Sequence, residues 1–455
     1  MADTASKHID MTTGSLWRNI PLFAFPVAAT SILEQLSNLI ATVIIGNFSG
    51  DQGTLAMAAV GSNVPLTSLM INLFIGLSLG SNVVIANAIG RNDQNMVKRA
   101  VHTSILMALV GFIVIALGEV FAEPMLAALN VPAETVPLAS LYLRVFLLSM
   151  PSILLYNFEA AIFRSVGITR MPLQALAVST VLNIGLDLIF VPVLHWGVAG
   201  VAIATTIAYT TSAVTLFIRL LKTDSVVRVT PRDLAIDPVA LKRIVKIGLP
   251  AGIQSAVFAV ANIIIQSAIN SLGTEVMAAS SAAMSLEYVC YNLLNSFSQA
   301  CTTFVGQNYG AGKLDRCRKT LVLCLVEDAL ASGIAILLVL GSGHFLLSLF
   351  NRDPEVIALG YTRLMTVFTA YFFSMLYEVM SGYLRGFGIS LVPALLTMLG
   401  VCGVRILWIA TAFPRSRTFQ TILLAYPLSL AATAVLILLA LLIYHPSRRT
   451  KGETV

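Results

Sequence analysis

The sequence carries little charge for its length. Only 11% of its 455 residues are charged, whereas 57% are hydrophobic. Soluble domains contain roughly 25% charged and about 45–50% apolar residues. A water-soluble core of this size could not bury so much apolar surface. The composition therefore excludes an ordinary soluble domain and indicates a protein of the membrane.

Motifs of zinc enzymes and nucleotide-driven pumps are also missing. The chain has no HExxH motif and no P-loop, the patterns that bind catalytic zinc and nucleotide phosphates. Its five cysteines include no CxxC pair, so we expect neither a disulfide framework nor a metal site. We predict a protein that is not an enzyme and needs no cofactor. An ion gradient or an outside partner must then drive its work.

A cleavable signal peptide and a nucleic-acid surface are not expected either. Residues 1–15 are mostly polar, and the first apolar stretch, 20–48, is too long for the core of a signal peptide. The formal charge is +6, but the basic residues sit in short gaps between apolar segments and form no aromatic-interleaved patch. We interpret them as a topology signal.

Long apolar stretches fill most of the chain. A helix that crosses a bilayer takes about 20 apolar residues, and we predict twelve such helices in an all-α integral membrane fold. The predicted spans are 17–47, 54–88, 97–118, 135–163, 172–194, 197–221, 242–271, 275–309, 315–341, 355–384, 391–413 and 419–444. The segment after the sixth span is charged and carries Pro231 and Pro238, so we predict a linker there.

The two halves of the chain repeat one another. Pro26 and Asn38 recur as Pro250 and Asn262, and the run FRSVG with Arg164 recurs as LRGFG at nearly the same offset. Because each half has six helices, the halves share one orientation and form a parallel repeat. The predicted domains are a cytoplasmic N-terminal tail 1–14, an N-lobe 15–222, a cytoplasmic linker 223–241, a C-lobe 242–444 and a cytoplasmic C-terminal tail 445–455.

Basic residues predict the orientation. With an even number of spans both termini share one side, and most of the 28 Lys and Arg residues lie in tails and loops of that side. Cytoplasmic loops are richer in Lys and Arg, so both termini are predicted to be cytoplasmic in a multi-pass protein of the cell (inner) membrane. A few arginines, Arg363 among them, are assigned to the opposite side, and Arg405 alone is placed within a helix.

Polar side chains inside the predicted spans of the N-lobe suggest an ion site. An Asp at the membrane centre costs about 2.5–3.5 kcal/mol on insertion scales, so such residues are functional candidates. Asn183 and Asp187 share one helical face at i,i+4, and their oxygens suit a proton or a small hard cation such as sodium. Thr205, Glu34 and Asn38 are the further candidates. The alternative is a buried hydrogen-bond network that only holds the helices together.

A second polar set lies in the C-lobe, where we predict a substrate cleft. Its members are Gln254, Asn262, Gln266, Glu287, Tyr291, Tyr377, Glu378 and Arg405. Glu287 would attract an organic cation by its charge, and Tyr291 would offer the cation a ring face. Arg405 needs a counter-charge, and Glu378 is the predicted partner. A structural ion pair is the alternative role for Arg405 and Glu378.

Several runs resemble the MATE (multidrug and toxic compound extrusion) transporters, most strongly a bacterial subgroup. They are IIGNFSG, FRSVGITRMP, VLNIGLDLIFV followed by WGVAGVAIAT, TFVGQNYGAGK and LRGFGISLVP. The resemblance extends over residues 12–442. It implies a twelve-helix, two-lobed antiporter that exports cationic or amphipathic compounds in exchange for sodium ions or protons.

The resemblance also implies residue roles. Similar transporters build a cation site from an Asn and an Asp on the fifth helix and a Thr on the sixth, which match Asn183, Asp187 and Thr205. The family often has an Asp on the first helix, where this chain has Ala41. The missing carboxylate leaves fewer ligands, which favours a proton over sodium unless Glu34 or a backbone carbonyl joins the site or the C-lobe binds sodium.

Three other functions are compatible with a membrane protein of this kind. A flippase for a lipid-linked or polysaccharide precursor would be expected to have a strongly cationic cleft, whereas the intramembrane residues here are mainly acidic. An integral-membrane enzyme would need a catalytic cluster at a membrane face. A channel is disfavoured by the two-lobe repeat. We therefore expect small organic, mainly cationic substrates and the lipid bilayer as partners, without a nucleic acid or an obligate protein partner.

Overall fold

The computed structural model describes residues 9–49, 53–128 and 131–446, and within them the regular secondary structure is helical throughout, which confirms the all-α class. The helices are α1 (Leu16–Phe48), α2 (Gly53–Gly90), α3 (Gln94–Met107), α4 (Val110–Ala128), α5 (Val136–Leu147), α6 (Met150–Ser165), α7 (Arg170–Phe190), α8 (Gly197–Lys222), α9 (Pro238–Asn270), α10 (Thr274–Gly310), α11 (Leu314–Gly341), α12 (Gly343–Ser348), α13 (Pro354–Gly386), α14 (Leu391–Thr397), α15 (Val404–Thr411) and α16 (Phe419–Tyr444). A π-helical stretch, Met398–Gly403, joins α14 to α15.

Each predicted span coincides with a helix or with consecutive helices. Within the described ranges, ten segments are long and apolar enough to cross a membrane, or up to eleven if α5 and α6, which meet at 46°, form one bent span. The helix at the eighth predicted span, α10, is 37 residues long but does not qualify, because polar side chains such as Asn292, Asn295 and Gln299 lower its hydropathy. A multi-pass membrane fold is confirmed, while the count of twelve stays a prediction.

The chain forms two compact units. The first contains Ile9, Ala29–Ile89 and Asp93–Gly248, and the second contains Asp10–Ala28, Gly90–Asn92 and residues 249–446. Boundaries fall inside α1, before the last residue of α2 and inside α9, so each of these helices contributes residues to both units. The predicted tails 1–14 and 445–455 lie largely outside the described residues, and the predicted domain limits and internal repeat stay predictions.

In the first unit, the predicted linker packs on α3. Val227 and Val229 are buried in the same apolar core as side chains of α2, α3, α6 and α8. The Thr230 amide donates a hydrogen bond to His102 Nε2 at 3.2 Å, and Lys98 pairs with Asp233 at 2.7 Å. The apolar residues between the linker charges therefore anchor the segment.

In the second unit, polar residues of α10 bind it to α13. The Ser298 hydroxyl donates to the Glu378 carbonyl at 2.7 Å, and the Thr302 hydroxyl donates to the Gly382 carbonyl at 3.0 Å. Small and hydroxyl-bearing residues let membrane helices approach closely and hydrogen-bond across the contact. The polar character of α10 thus has a packing role.

The segment that leads into α1 is held in the second unit by hydrogen bonds. Arg316 donates to the carbonyls of Met11 at 3.1 Å and Thr13 at 2.6 Å. Asp10 accepts bonds from the amides of Thr12 and Thr13, each at 2.9 Å. Burial raises the pKa of Asp10, but the hydrogen bonds from Thr13 and Thr12 lower it by more, to about 2.

Candidate functional site

Asp187 is a buried carboxylate without a hydrogen-bond partner. It lies in the last turn of α7, is 0% exposed, and neither of its carboxylate oxygens has a hydrogen-bond partner among the described residues. An ionised carboxylate in such a place is costly unless a positive charge or a proton neutralises it. The negative end of the helix dipole offers it no stabilisation. The arrangement therefore suits a bound cation or a proton.

Asn183 lies one turn before Asp187 and is also buried. The Ser37 hydroxyl of α1 donates to Asn183 Oδ1 at 3.1 Å, while Asn183 Nδ2 has no partner in the described part of the chain. Tyr142 of α5 interacts electrostatically with Asp187. Sequence reasoning missed Ser37 and Tyr142, because neither residue is ionised and neither stands out within its apolar run.

The other predicted members of this site contribute less. Thr205 is half-buried on α8, and its hydroxyl makes no hydrogen bond within the described ranges. Asn38 is exposed, and of its groups the backbone carbonyl accepts from Thr42 at 2.9 Å. Ala41 packs against the apolar core that includes Tyr142, so it adds no oxygen. Of the predicted members, Asn183 and Asp187 are thus the ones with buried polar atoms that lack a partner in the described chain, and their role as a cation site stays a prediction.

Glu34 belongs to a different cluster of the first unit. It interacts electrostatically with Arg164 at the end of α6, and Tyr156 interacts with both. The hypothesis that Glu34 replaces the carboxylate missing at Ala41 therefore gains no support. Glu159 of α6 is 0% exposed, and neither of its carboxylate oxygens has a partner in the described chain. Sequence analysis missed it, although an acid inside the fourth predicted span could have revealed it.

The second unit contains a cavity of ≈ 160 Å³ between α9, α10, α13, α15 and α16. Five tyrosines and three charged side chains dominate its lining. The lining residues are Phe258, Ala261, Asn262, Met284, Glu287, Tyr288, Tyr291, Arg363, Tyr371, Ser374, Tyr377, Val401, Cys402, Arg405, Tyr426 and Leu430. Of the predicted cleft residues, Asn262, Glu287, Tyr291, Tyr377 and Arg405 line it, whereas Gln254, Gln266 and Glu378 do not.

Glu287 is paired with a buried arginine. Arg363 donates from Nε and Nη2 to the two carboxylate oxygens at 2.7 and 2.9 Å. It also donates to Ser280 Oγ at 3.0 Å and to the Tyr426 hydroxyl at 3.2 Å. Arg363 lies inside α13 and is 1% exposed, so the expectation that Arg405 alone lies within a helix was wrong, while the membrane side assigned to Arg363 stays a prediction. The prediction that Glu287 attracts an organic cation by its charge gains no support from this pairing.

Glu378 is not the partner of Arg405, contrary to the sequence-based prediction. Its Oε1 accepts from the Tyr291 hydroxyl at 3.1 Å, and its Oε2 lies 3.8 Å from Arg385 Nη2. Arg405 instead donates from Nε to Ser429 Oγ at 3.0 Å. Sequence spacing could have indicated the contact with Arg385, because Glu378 and Arg385 are seven residues apart in α13 and share one helical face.

Two adjacent acids on α11 lie near Glu378. Glu327 and Asp328 are 4% and 0% exposed. Asp328 accepts from the Ser332 hydroxyl at 2.6 Å and interacts electrostatically with Glu378, while Glu327 has no hydrogen-bond partner in the described chain. No group of three or more His, Cys, Asp or Glu side chains in the described ranges is arranged to hold a metal ion.

One run, Gly76 to Gly80, has the letters of the GxSxG motif of serine hydrolases. It lies in the middle of α2, whereas the motif needs a sharp strand-to-helix turn that exposes the serine. The Ser78 hydroxyl donates to the Ile75 carbonyl of the same helix at 2.8 Å. A Cβ at Gly80 would collide with the backbone of Ile244 and Gly248. The run is therefore a close-packing element.

Comparisons with known proteins agree with this fold. A family model described as MatE matches residues 26–189 and 250–410. The chain is similar to the "Probable multidrug resistance protein YoeA" of Bacillus subtilis (strain 168), at 26% identity over 407 residues and 86% of each chain. It is similar to the "FAD transporter" of Shewanella oneidensis, at 25% identity over 356 residues, 74% of this chain and 77% of that protein.

A solved structure has the same fold. It is described as an outward-facing conformation of a multidrug resistance MATE family transporter of the MOP superfamily, and it matches with a TM-score of 0.89 at 21% identity. The match covers 98% of this chain and 100% of that one.

Proposed function

Because the chain belongs to the MatE family of multidrug efflux transporters, we propose that it is a secondary active exporter that exchanges an amphipathic organic compound for a cation held at Asp187. The resemblance to MATE transporters inferred from the sequence is thereby confirmed. The compound leaves the cell by alternating access, and the cation gradient supplies the free energy. Cytoplasmic termini, as the Lys and Arg distribution predicts, are part of the proposal.

The observation that carries this proposal is the unpartnered carboxylate of Asp187. Both of its oxygens are buried without a hydrogen-bond partner among the described residues. A bound cation or proton would neutralise and stabilise this carboxylate. Asn183, fixed by Ser37 at 3.1 Å, supplies the adjacent amide. A residue kept only for packing would be expected to have its polar atoms paired.

We infer that the coupling ion is a proton. Sodium needs several oxygen ligands, whereas a proton needs one carboxylate and a hydrogen-bond partner. Ala41 supplies no ligand, Asn38 is exposed, and Glu34 interacts with Arg164. The Asp187 carboxylate, the Asn183 amide and the Thr205 hydroxyl that remain make an incomplete sodium site but a sufficient proton site.

Neither the named relatives nor Glu287 determines the charge of the substrate. Relatives are named for multidrug resistance and for FAD, which share no single charge. The expectation of cationic substrates depended on the mainly acidic intramembrane residues and on the resemblance to MATE transporters, and the salt bridge with Arg363 at 2.7 Å neutralises one of those acids, Glu287. The names of the relatives do not favour the flippase alternative.

Transport by purified protein in proteoliposomes tests the proposal. Efflux of the cationic dye ethidium and the anionic dye carboxyfluorescein is measured under a pH gradient at equal sodium, and then under a sodium gradient at equal pH. We expect the pH gradient to drive efflux of at least one dye and Asp187→Asn to remove that drive. Sodium-driven efflux that Asp187→Asn abolishes would reassign the ion to sodium. Gradient-driven efflux that Asp187→Asn leaves intact would refute the site.

A further inference from the structure

The cavity of the second unit contains a positive charge that no side chain neutralises. Arg405 is 8% exposed and forms no salt bridge among the described residues. Its Nε donates to Ser429 Oγ at 3.0 Å, and its Cζ lies 4.3 Å from the centre of the Tyr426 ring. A hydroxyl and a ring face solvate a guanidinium only in part, and its two terminal nitrogens make no hydrogen bond in the described chain.

The other two charged side chains of the lining, Glu287 and Arg363, neutralise each other. Glu287 receives two N–H groups from Arg363 at 2.7 and 2.9 Å, and such a bidentate pair is held rigidly and is neutral as a unit. Glu378 does not line the cavity, and Tyr291 and Arg385 occupy its two oxygens. The cavity therefore has a net positive charge, centred on Arg405.

The backbone before Arg405 places its side chain in the cavity. Met398–Gly403 is π-helical, and π-helical turns inside helices are frequent at functional sites. Gly400 lies so close to Thr433 of α16 that a Cβ would not fit without a shift. This close approach brings Arg405 within hydrogen-bond distance of Ser429, one turn before Thr433.

The size and the walls of the cavity suit an aromatic ring. Its volume is ≈ 160 Å³, and an apolar cavity of about 150 Å³ is known to hold one benzene molecule. Tyr288, Tyr291 and Tyr371 are among the five tyrosines that line it, and their faces can stack on a ring. Arginine presents a planar fork of donors that matches a carboxylate or phosphate.

We propose that this cavity binds the acid-bearing ring of an aromatic organic anion, with Arg405 as the counter-ion of its carboxylate or phosphate. The inference rests on the proposed export function, because it names the class of compound that the exporter carries. An organic cation would meet a net positive charge in this cavity and would bind less well.

Binding to the purified full chain in lipid nanodiscs tests the inference. The probes are 4-fluorobenzoate, 4-fluorophenyl phosphate, 4-fluorobenzamide and 4-fluorobenzylammonium, and ¹⁹F NMR gives their dissociation constants. A charge-assisted hydrogen bond to arginine corresponds to about a 10–100-fold change in affinity. We expect benzoate or phenyl phosphate to bind more tightly than the amide and the ammonium, and Arg405→Gln to weaken that acid by about 10–100-fold. The tighter acid identifies the acid group.

Two further variants keep the test decisive if Arg405→Gln does not fold. Arg405→Lys keeps the charge and should retain more acid affinity than Arg405→Ala. Asp224→Asn, an exposed aspartate outside the helices, should leave acid binding intact. Tighter binding of the ammonium than of both acids, or acid binding that ignores Arg405, would overturn the inference while the coupling proposal stands.

Discussion

Replacing Asp187 by Asn removes the only charge at the proposed coupling site while it preserves the shape of the side chain. The residue is 0% exposed and has no hydrogen-bond partner for either carboxylate oxygen in the described chain, so the substitution breaks no existing bond. We therefore expect Asp187→Asn to fold and insert normally. Its unfolding temperature should be equal to or above that of the wild type, because an unpaired buried acid is a source of instability.

The size of the functional loss follows from the lost interaction. A hydrogen bond or contact to a charged group is worth about 1.5–3 kcal/mol, which corresponds to about a 10–100-fold change in an equilibrium constant. Neutral Asn cannot take up or release a proton and offers a cation no charge. Gradient-driven efflux by Asp187→Asn should therefore fall by at least about tenfold.

The assay combines dye efflux from proteoliposomes with thermal unfolding of the same protein preparation. Asp224→Asn is the matched control, because Asp224 is an exposed aspartate outside the helices and the chemical change is identical. The control should keep wild-type efflux. Wild-type gradient-driven efflux by Asp187→Asn, or a loss of efflux that merely follows a large drop in unfolding temperature, would refute the reasoning.

Three further predictions concern the second unit. Glu287→Gln should destabilise the protein by about 3–5 kcal/mol, since it strands Arg363 as a buried unpaired charge, and the double variant with Arg363→Gln should recover part of the loss in a denaturation assay. Arg316→Gln should speed hydrogen exchange of residues 11–14, because Arg316 binds the carbonyls of Met11, Thr13 and Gly14, with Arg318→Gln on the same helix as the control. Because the folded pKa of Asp10 is about 2 and the unfolded value is about 3.9, protection of this segment should be constant from pH 5 to 8. It should be lost as the pH falls from about 4 through 2.

Much of the fold could be predicted because the membrane imposes a simple rule. Every stretch of about 20 apolar residues must form a helix to satisfy its backbone in lipid, and the structure has a helix at each predicted span. Helix α10 is less apolar than the other long helices and does not qualify as a span by hydropathy. Its Ser298 and Thr302 hydroxyls bind the carbonyls of Glu378 and Gly382. Hydropathy predicts whether a helix can contact lipid. It does not predict that the polar residues of α10 pack and hydrogen-bond against α13.

Within the candidate sites, the sequence could predict contacts inside one helix but not contacts between helices. Asn183 and Asp187 could be paired from the sequence, because the i,i+4 spacing of one helix fixes which side chains share a face. Partners on different helices could not, since sequence spacing carries no information about rotation or depth. Arg363 lies about three turns inside α13 by helix geometry, at the depth of Glu287 on α10, and this coincidence determines that Glu287 is neutralised. Arg405 is left unneutralised by the same arrangement, so the charge of the cavity is opposite to the one that a count of intramembrane acids predicts.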